Sequence, residues 1–97
     1  MTSLSIVIPA LNEADGIADI ANRVMGIRAA LVAAGVPTLE LIVVDDGSTD
    51  DTAAIAEGVA GVTVIRHGRN QGYGAAIKTG FRAAKGDMLA FLDADGT

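Results

Sequence analysis

Apolar residues follow two rhythms along this chain, and the rhythms take turns. Short apolar runs, the first three rich in Ile and Val, occupy residues 4–9, 39–44, 62–65 and 88–92. Between them, apolar residues recur every three or four positions. The runs predict strands and the intervening stretches predict helices. The first helix reads from residue 13 or 14 to about residue 34. Its Ile17, Ile20, Val24, Ile27 and Leu31 form one stripe, which gains stability only when it lies against a sheet. Asn12 is placed to cap this helix, Gly35 to stop it in the left-handed region, and Pro37 to prevent its continuation. Pro9 is expected to end the first strand, because proline donates no ladder hydrogen bond.

The second run ends in Leu41-Ile42-Val43-Val44, apolar without alternation, the mark of a strand covered on both faces. A short helix over roughly residues 50–58 follows, with Ile55 and Val59 inward. Ser48 or Thr49 can cap it, and Asp50 and Asp51 suit its positive first turn. After the third strand, a polar, glycine-rich loop over residues 66–74 leads into a helix from about 74 to 84. Ala75, Ala76, Gly80, Ala83 and Ala84 allow close backbone approach there, and Ile77 and Phe81 supply bulk. Lys85 and Gly86 end it as a cation and a left-handed residue. The last run reads as a buried strand. The order β-α-β-α-β-α-β predicts a Rossmann-like α/β fold: a mainly parallel sheet, right-handed crossovers and helices on both faces.

Composition narrows the classes. Ninety-seven residues make one domain at most, and 51% hydrophobic with 3% aromatic residues is the profile of a compact α/β protein. A net charge of -5 argues against nucleic-acid binding through the overall field. The chain has no Cys, which excludes disulfides and thiolate chemistry and permits a cytoplasmic setting. The N-terminal residues lack the basic region of a signal peptide, and no apolar run approaches the ~18–20 residues that span a bilayer.

The polar clusters share one address. Asn12-Glu13, Asp45-Asp46, Arg66 to Asn70 and Asp93-Ala94-Asp95 each follow a predicted strand, and open parallel sheets bind ligands beyond the carboxyl ends of their strands. Asp93 and Asp95, two residues apart, point the same way from extended backbone, so one hard cation can be shared between them. Oxygen-only ligands favour Mg2+ or Mn2+ over zinc. A turn and a helix start explain most of Asp45-Asp46-Gly47-Ser48. Two consecutive acids at a strand end also allow one of them to face the cleft and accept from a base N–H or a ribose hydroxyl. Gly72-Tyr73-Gly74 is not a dinucleotide fingerprint, because Ile77 stands where its third Gly belongs, and Ile77 also occupies the obligatory Gly of a phosphate-binding loop. Lys78 reads either as an exposed helix lysine or as a cation near a diphosphate at a helix N-terminus. His67, the lone His, reads as a loop residue rather than a base.

Four motifs in order carry a resemblance: Ile-Pro-Ala-Leu-Asn-Glu at 8–13, Val-Val-Asp-Asp-Gly-Ser-Thr-Asp at 43–50, Asn-Gln-Gly-Tyr-Gly-Ala-Ala-Ile-Lys-Thr-Gly at 70–80 and Phe-Leu-Asp-Ala-Asp at 91–95. With them the chain resembles the N-terminal half of an inverting family-2 glycosyltransferase of the GT-A type, and among these the dolichol-phosphate-mannose and polyprenyl-phosphate glycosyltransferases. The resemblance implies that Pro9, Leu11 and Glu13 line the nucleoside site and that Asp46, or Asp45, binds the base. It implies that Gly72 and Lys78 lie near base and phosphate, that Asp93 contacts ribose or metal-bound water, and that Asp95 coordinates the cation. The partners it implies are a nucleoside-diphosphate sugar and an acceptor such as a polyprenyl phosphate, at a membrane face in a full-length protein. It further implies that residues 1–97 are the nucleotide-sugar-binding portion of a GT-A domain, cut after the Asp-x-Asp motif. The acceptor site and catalytic base are then expected downstream of Thr97, and these residues alone are expected to lack transferase activity. The last strand would expose a sheet edge, so a homodimer or larger assembly is expected.

Two other classes compete. A non-catalytic nucleotide-binding or self-associating module would use the acids as caps and surface. A nucleotidyltransferase-like domain also uses such a sheet and Mg2+. It carries a basic glycine-rich loop after its first strand, where Pro9-Ala10-Leu11-Asn12-Glu13 has none.

Overall fold

The computed structural model describes residues 2–94. Strands β1 (Ser3–Ala10), β2 (Thr38–Asp45), β3 (Val62–Arg66) and β4 (Met88–Phe91) are interleaved with helices α1 (Ile17–Gly26), α2 (Arg28–Ala33), α3 (Thr52–Glu57) and α4 (Tyr73–Ala83). The strands lie in the order β3-β2-β1-β4, and every pairing is parallel. Interior strands β1 and β2 run in register from Ser3 opposite Thr38 to Ala10 opposite Asp45. Their side chains alternate between two cores, as the pleat requires. Ile6, Ile8, Leu41 and Val43 meet Ile17, Ala21, Val24 and Ala56 on one face, and Leu31 of α2 packs at its margin. Val7, Ile42 and Val44 meet Ala76 and Phe81 of α4 on the other. Helices therefore cover both faces, as the unbroken apolar run in β2 predicts.

The first helical segment departs from expectation. It begins at Ile17 and divides at Ile27 into α1 and α2. Asn12 does not cap it. Its backbone lies in the left-handed region, φ 53°, and the N-cap position belongs to Gly16, with no side-chain cap bond. The cause is competition from the loop after β2. The Asn12 amide donates to Ser48 Oγ at 2.9 Å, the Glu13 amide to Thr52 Oγ1 at 2.9 Å and the Ala14 amide to Asp50 Oδ2 at 3.3 Å. Those bonds hold residues 12–14 out of the helix. Ile27, expected in the buried stripe, is 43% exposed at the joint, and Ala21 is fully buried. Gly26, the weakest helix former in the segment, precedes the break. The far end is as expected: Gly35 is left-handed. Its amide reaches Val32 O at 3.1 Å, and the Val36 amide reaches Leu31 O at 2.8 Å, a paired closure that satisfies the last carbonyls.

Other boundaries also shift for identifiable reasons. Pro9 lies inside β1, not at its end. β4 pairs with β1 only as far as Val7, and the Leu92 amide bonds Val7 O at 3.0 Å. Pro9, two residues on, faces the same side beyond the ladder, where no donor is required. Neither Ser48 nor Thr49 caps α3, which starts at Thr52 with Asp51 as N-cap, so Asp50 and Asp51 precede its first turn. Ser48 and Thr49 are instead bonded to Asn12. Thr52, Ala53 and Ala56 are the buried residues of α3, and Ile55 and Val59 are only partly covered.

α4 starts one residue early, at Tyr73, and its small residues work as expected. A Cβ on Gly80 would lie 2.3 Å from Val7 Cγ1, so the helix rests its backbone directly on β1. Gly86 is not left-handed. It is needed for space, because a Cβ there would lie 2.6 Å from Ser5 Oγ. Buried Ser5 accepts from the Gly86 amide at 2.8 Å and donates to Glu40 Oε1 at 2.7 Å, tying the α4–β4 turn to the sheet. β4 is not a buried run: it is an edge strand, with Leu89 and Phe91 each 49% exposed. Among the described residues, no helix is long and apolar enough to cross a membrane.

Candidate functional site

Parallel pairing sends the carboxyl ends of all four strands to one rim, the side on which open α/β sheets bind ligands. Two adjoining hollows open there. The first, of about 390 Å³, is bordered by Pro9, Ala10, Leu11, Asp46, Asn70, Gly72, Tyr73 and Ala76. The second, of about 450 Å³, is bordered by Pro9, Leu11, Glu13, Tyr73, Asp93 and Ala94. Pro9, Leu11 and Tyr73 belong to both, so the two form one cleft with Tyr73 on its wall. Six residues nominated from the sequence border it: Pro9, Leu11, Glu13, Asp46, Gly72 and Asp93. Asp45 and Lys78 line neither hollow, and Lys78 is an exposed residue of α4. Asp95 lies outside the described residues.

The pleat separates the two adjacent acids. Asp45 ends β2 on the parity of Leu41 and Val43, and Asp46 falls on the parity of Ile42 and Val44, the α4 side. Asp45 is buried; its Oδ2 accepts from the Ser48 amide at 3.3 Å, and its Oδ1 has no partner among the described residues. Gly47 then turns the chain at φ 81°, and a Cβ there would lie 2.5 Å from Arg69 C and Asn70 N. Only glycine lets the loop after β2 press against the loop after β3.

Asp46 organises that second loop. Its Oδ1 accepts from His67 Nδ1–H at 2.8 Å and from the Gln71 amide at 2.9 Å, and its Oδ2 accepts from the Gly72 amide at 2.9 Å. Burial pushes its carboxyl up. The hydrogen bond from His67 and those from the Gln71 and Gly72 amides outweigh that, and they hold it below the ordinary carboxylate value. An ionised carboxylate only accepts, so Nδ1 of His67 carries a proton. Nε2 lies 2.8 Å from Thr79 Oγ1 on α4. His67 is therefore a loop residue, as expected, but one whose side chain is largely covered, with both ring nitrogens engaged.

Three features of the site go beyond what the sequence led us to expect. The first is the bridging role of His67. Its signal is register: Asp45 pairs with Arg66, and one further step brings residue 67 beside Asp46. The second is Tyr73, whose hydroxyl donates to Asp93 Oδ1 at 2.6 Å. As the lone Tyr, set in a glycine-rich loop, it offers a signal by composition. The third is Asn70, which borders the first hollow and carries no mark beyond its place in that loop. Among the described residues, no group of three or more His, Cys, Asp or Glu side chains gathers to hold a metal. Glu13 and Asp93 share the second hollow, and their oxygen donors are the type that suits a hard divalent cation.

The fold and cleft define a doubly covered parallel α/β domain with acids on the carboxyl rim of its sheet. The family model described as Glycosyl transferase family 2 matches residues 5–97, and the chain belongs to that family. The undecaprenyl-phosphate 4-deoxy-4-formamido-L-arabinose transferase of Sodalis glossinidius (strain morsitans) is 36% identical over 97 residues, covering 95% of this chain and 28% of the relative. The dolichyl-phosphate beta-glucosyltransferase of Drosophila melanogaster is 36% identical over 101 residues, covering 96% of this chain and 31% of the relative. The chain thus spans less than a third of the length of either. The crystal structure of glucosyl-3-phosphoglycerate synthase from Mycobacterium tuberculosis, in complex with Mn2+, uridine diphosphate and phosphoglyceric acid, superposes with a TM-score of 0.72. It is 33% identical, covering 96% of this chain and 33% of that one. The GT-A type fold expected from the motifs is the fold observed.

Proposed function

We propose that this chain is the donor- and metal-binding portion of an inverting glycosyltransferase that moves a sugar from a nucleoside diphosphate to an acceptor. The observation that carries this reading is the convergence of Pro9, Leu11, Glu13, Asp46, Gly72 and Asp93 on one cleft in a member of family 2. In it, Pro9 and Leu11 flank the nucleoside, Asp46 accepts from the base, Gly72 gives the chain close approach, and Asp93 takes ribose or metal-bound water. Asp45 supports the turn beneath Asp46, and Lys78 lies one turn into α4 as a cation toward the diphosphate. Asp95, with Asp93, would hold Mg2+ or Mn2+, which when bound neutralises charge on the departing diphosphate. The acceptor oxygen bonds to the anomeric carbon as the bond to the diphosphate oxygen breaks. The nucleoside diphosphate leaves, and the acceptor proton passes to a base or to water. No catalytic base is assigned among these residues. The names of the two relatives support a polyprenyl phosphate as acceptor, and in this reading the whole protein works at a membrane face.

Calorimetric titration with UDP, GDP and dTDP, each with Mn2+, tests the reading. Metal-dependent binding of one of them, lost in Asp95→Ala, is expected. No binding to any of the three, or binding indifferent to Asp95→Ala, would overturn it.

The outer edge of β4 supports a second part of the reading, a homodimer or larger assembly formed by strand pairing. β4 closes the sheet on that side with Leu89 and Phe91 exposed, and an unpaired apolar edge is a template for another strand. Light scattering across a concentration series tests it, and a monomer throughout would count against it.

A further inference from the structure

His67 is held at three points. Its amide donates to Asp45 O at 2.8 Å, its Nδ1 faces Asp46 Oδ1 at 2.8 Å, and its Nε2 faces Thr79 Oγ1 at 2.8 Å. Its side chain and that of Asp46 are only 7% and 5% exposed, so the pair is largely shielded from water. Each carboxylate oxygen offers about two acceptor positions. On Asp46, Oδ1 is filled by His67 and the Gln71 amide, and Oδ2 has taken only the Gly72 amide. Among the described residues, the acceptor position of this side chain left without a partner is on Oδ2, and Asp46 borders the first hollow.

We propose that His67 is a positioning residue for ligand recognition: braced by Thr79, it fixes the Asp46 carboxylate so that a single Oδ2 acceptor position is left for one N–H or O–H of a nucleoside. The inference rests on the nucleoside-diphosphate reading of the cleft. Without the imidazole, Asp46 loses a buried donor and its Oδ1 is free to seek another, which rotates the carboxylate away from the ligand. Among the described residues, Asp93, which in that reading takes ribose or metal-bound water, makes no hydrogen bond to His67, Asp46 or Thr79.

The geometry supplies a discriminating set of variants. In His67→Asn the side-chain amide stands near the position of Nδ1 and restores the donor to Asp46. His67→Gln places its amide near Nε2, toward Thr79, and leaves Asp46 without a donor. Thr79→Val keeps the Asp46 bond and removes only the brace. UDP, GDP and dTDP are titrated calorimetrically with Mn2+, and Mn2+-pyrophosphate serves as a probe that lacks the nucleoside. Circular dichroism and thermal melts report folding.

For the nucleotide that the wild type binds, His67→Ala and His67→Gln are expected to weaken affinity about 10–100-fold, the scale of a hydrogen bond to a charged group. His67→Asn is expected to recover to within about 3-fold, and Thr79→Val to lose about 2–5-fold. Pyrophosphate affinity should be unchanged throughout, which a merely structural loss would not produce. If folded His67→Ala binds nucleotide like the wild type, the proposal is overturned while the nucleotide reading stands. It is equally overturned if His67→Asn and His67→Gln behave alike, a comparison that decides even if His67→Ala does not fold. If the wild type binds none of the three nucleotides, the nucleotide reading falls and this proposal falls with it.

Discussion

The Tyr73 hydroxyl donates to Asp93 Oδ1 at 2.6 Å, joining the first residue of α4 to the loop after β4. The Tyr73 ring also meets Phe91 edge to face, with centroids 6.5 Å apart and planes at 78°. Asp93 is thus oriented by an aromatic residue that stands between the two hollows. In Tyr73→Phe the ring stays and only the hydroxyl goes. Metal-dependent nucleotide affinity is expected to fall about 2–10-fold, the scale of one partly solvated hydrogen bond, with an unchanged melting temperature. Calorimetry that returns equal affinities would show that Asp93 needs no such support.

Asp46 sets a pH dependence. Its folded carboxyl lies below the ordinary value, so it contributes stability that is fully present above the unfolded value of about 3.9. That contribution fades as pH falls through the lower folded value. Asp46→Asn should flatten the acid limb of a stability–pH profile, taken as urea midpoints from pH 7 down to pH 2.5. At pH 7 it should cost about 1–3 kcal/mol, because an amide nitrogen would face the donors of His67, Gln71 or Gly72. An acid limb identical to the wild type would mean that another carboxylate carries it.

Two glycines of α4 should respond oppositely to alanine. A Cβ on Gly80 would lie 2.3 Å from Val7 Cγ1, whereas one on Gly74 would meet nothing within 4 Å. Gly80→Ala is expected to destabilise by about 1–3 kcal/mol through overpacking, despite the better helix propensity of alanine. Gly74→Ala should stabilise by about 0.4–1 kcal/mol, chiefly through the unfolded chain. Denaturant midpoints decide, and a stabilised Gly80→Ala would mean that α4 can lift from β1.

Asn12 serves both as a left-handed residue and as an acceptor for the Thr49 amide at 2.9 Å. Asn12→Gly keeps the first role and loses the second, at an expected cost of about 1 kcal/mol. Asn12→Ala loses both and should cost about 1 kcal/mol more, since a Cβ without a local polar bond is strained at that φ. Equal midpoints for the two variants would place the whole effect in the side-chain bond.

Element order and the gathering of acids at one rim are legible in the sequence because they depend on local rhythm and on the parity of strands. Leu41 to Val44, apolar on consecutive positions, announces a doubly covered strand, yet the same run hides which of Asp45 and Asp46 turns toward α4. A single long helix does not form because the amides of residues 12–14 bond to side chains 36 to 39 positions away. Periodicity carries no information about such partners. His67 illustrates the same limit: its ring is defined by Asp46 and Thr79, 21 and 12 residues distant. Gly86 is a special position, as the sequence suggests, but for a different reason, since space against Ser5, not backbone handedness, is what it supplies.

The bonds between residues 12–14 and the loop 48–52 also bear on how that part of the cleft breathes. Each spans at least 36 residues, so it closes only once β1 and β2 lie side by side. Breaking one leaves the others holding the same two segments together. The rim they form therefore opens as a unit, with a free energy closer to that of the sheet than to that of a surface loop. The amide hydrogens of Asn12, Glu13 and Thr49 should then exchange with solvent deuterium at rates that track the strand amides of Val7 and Val43.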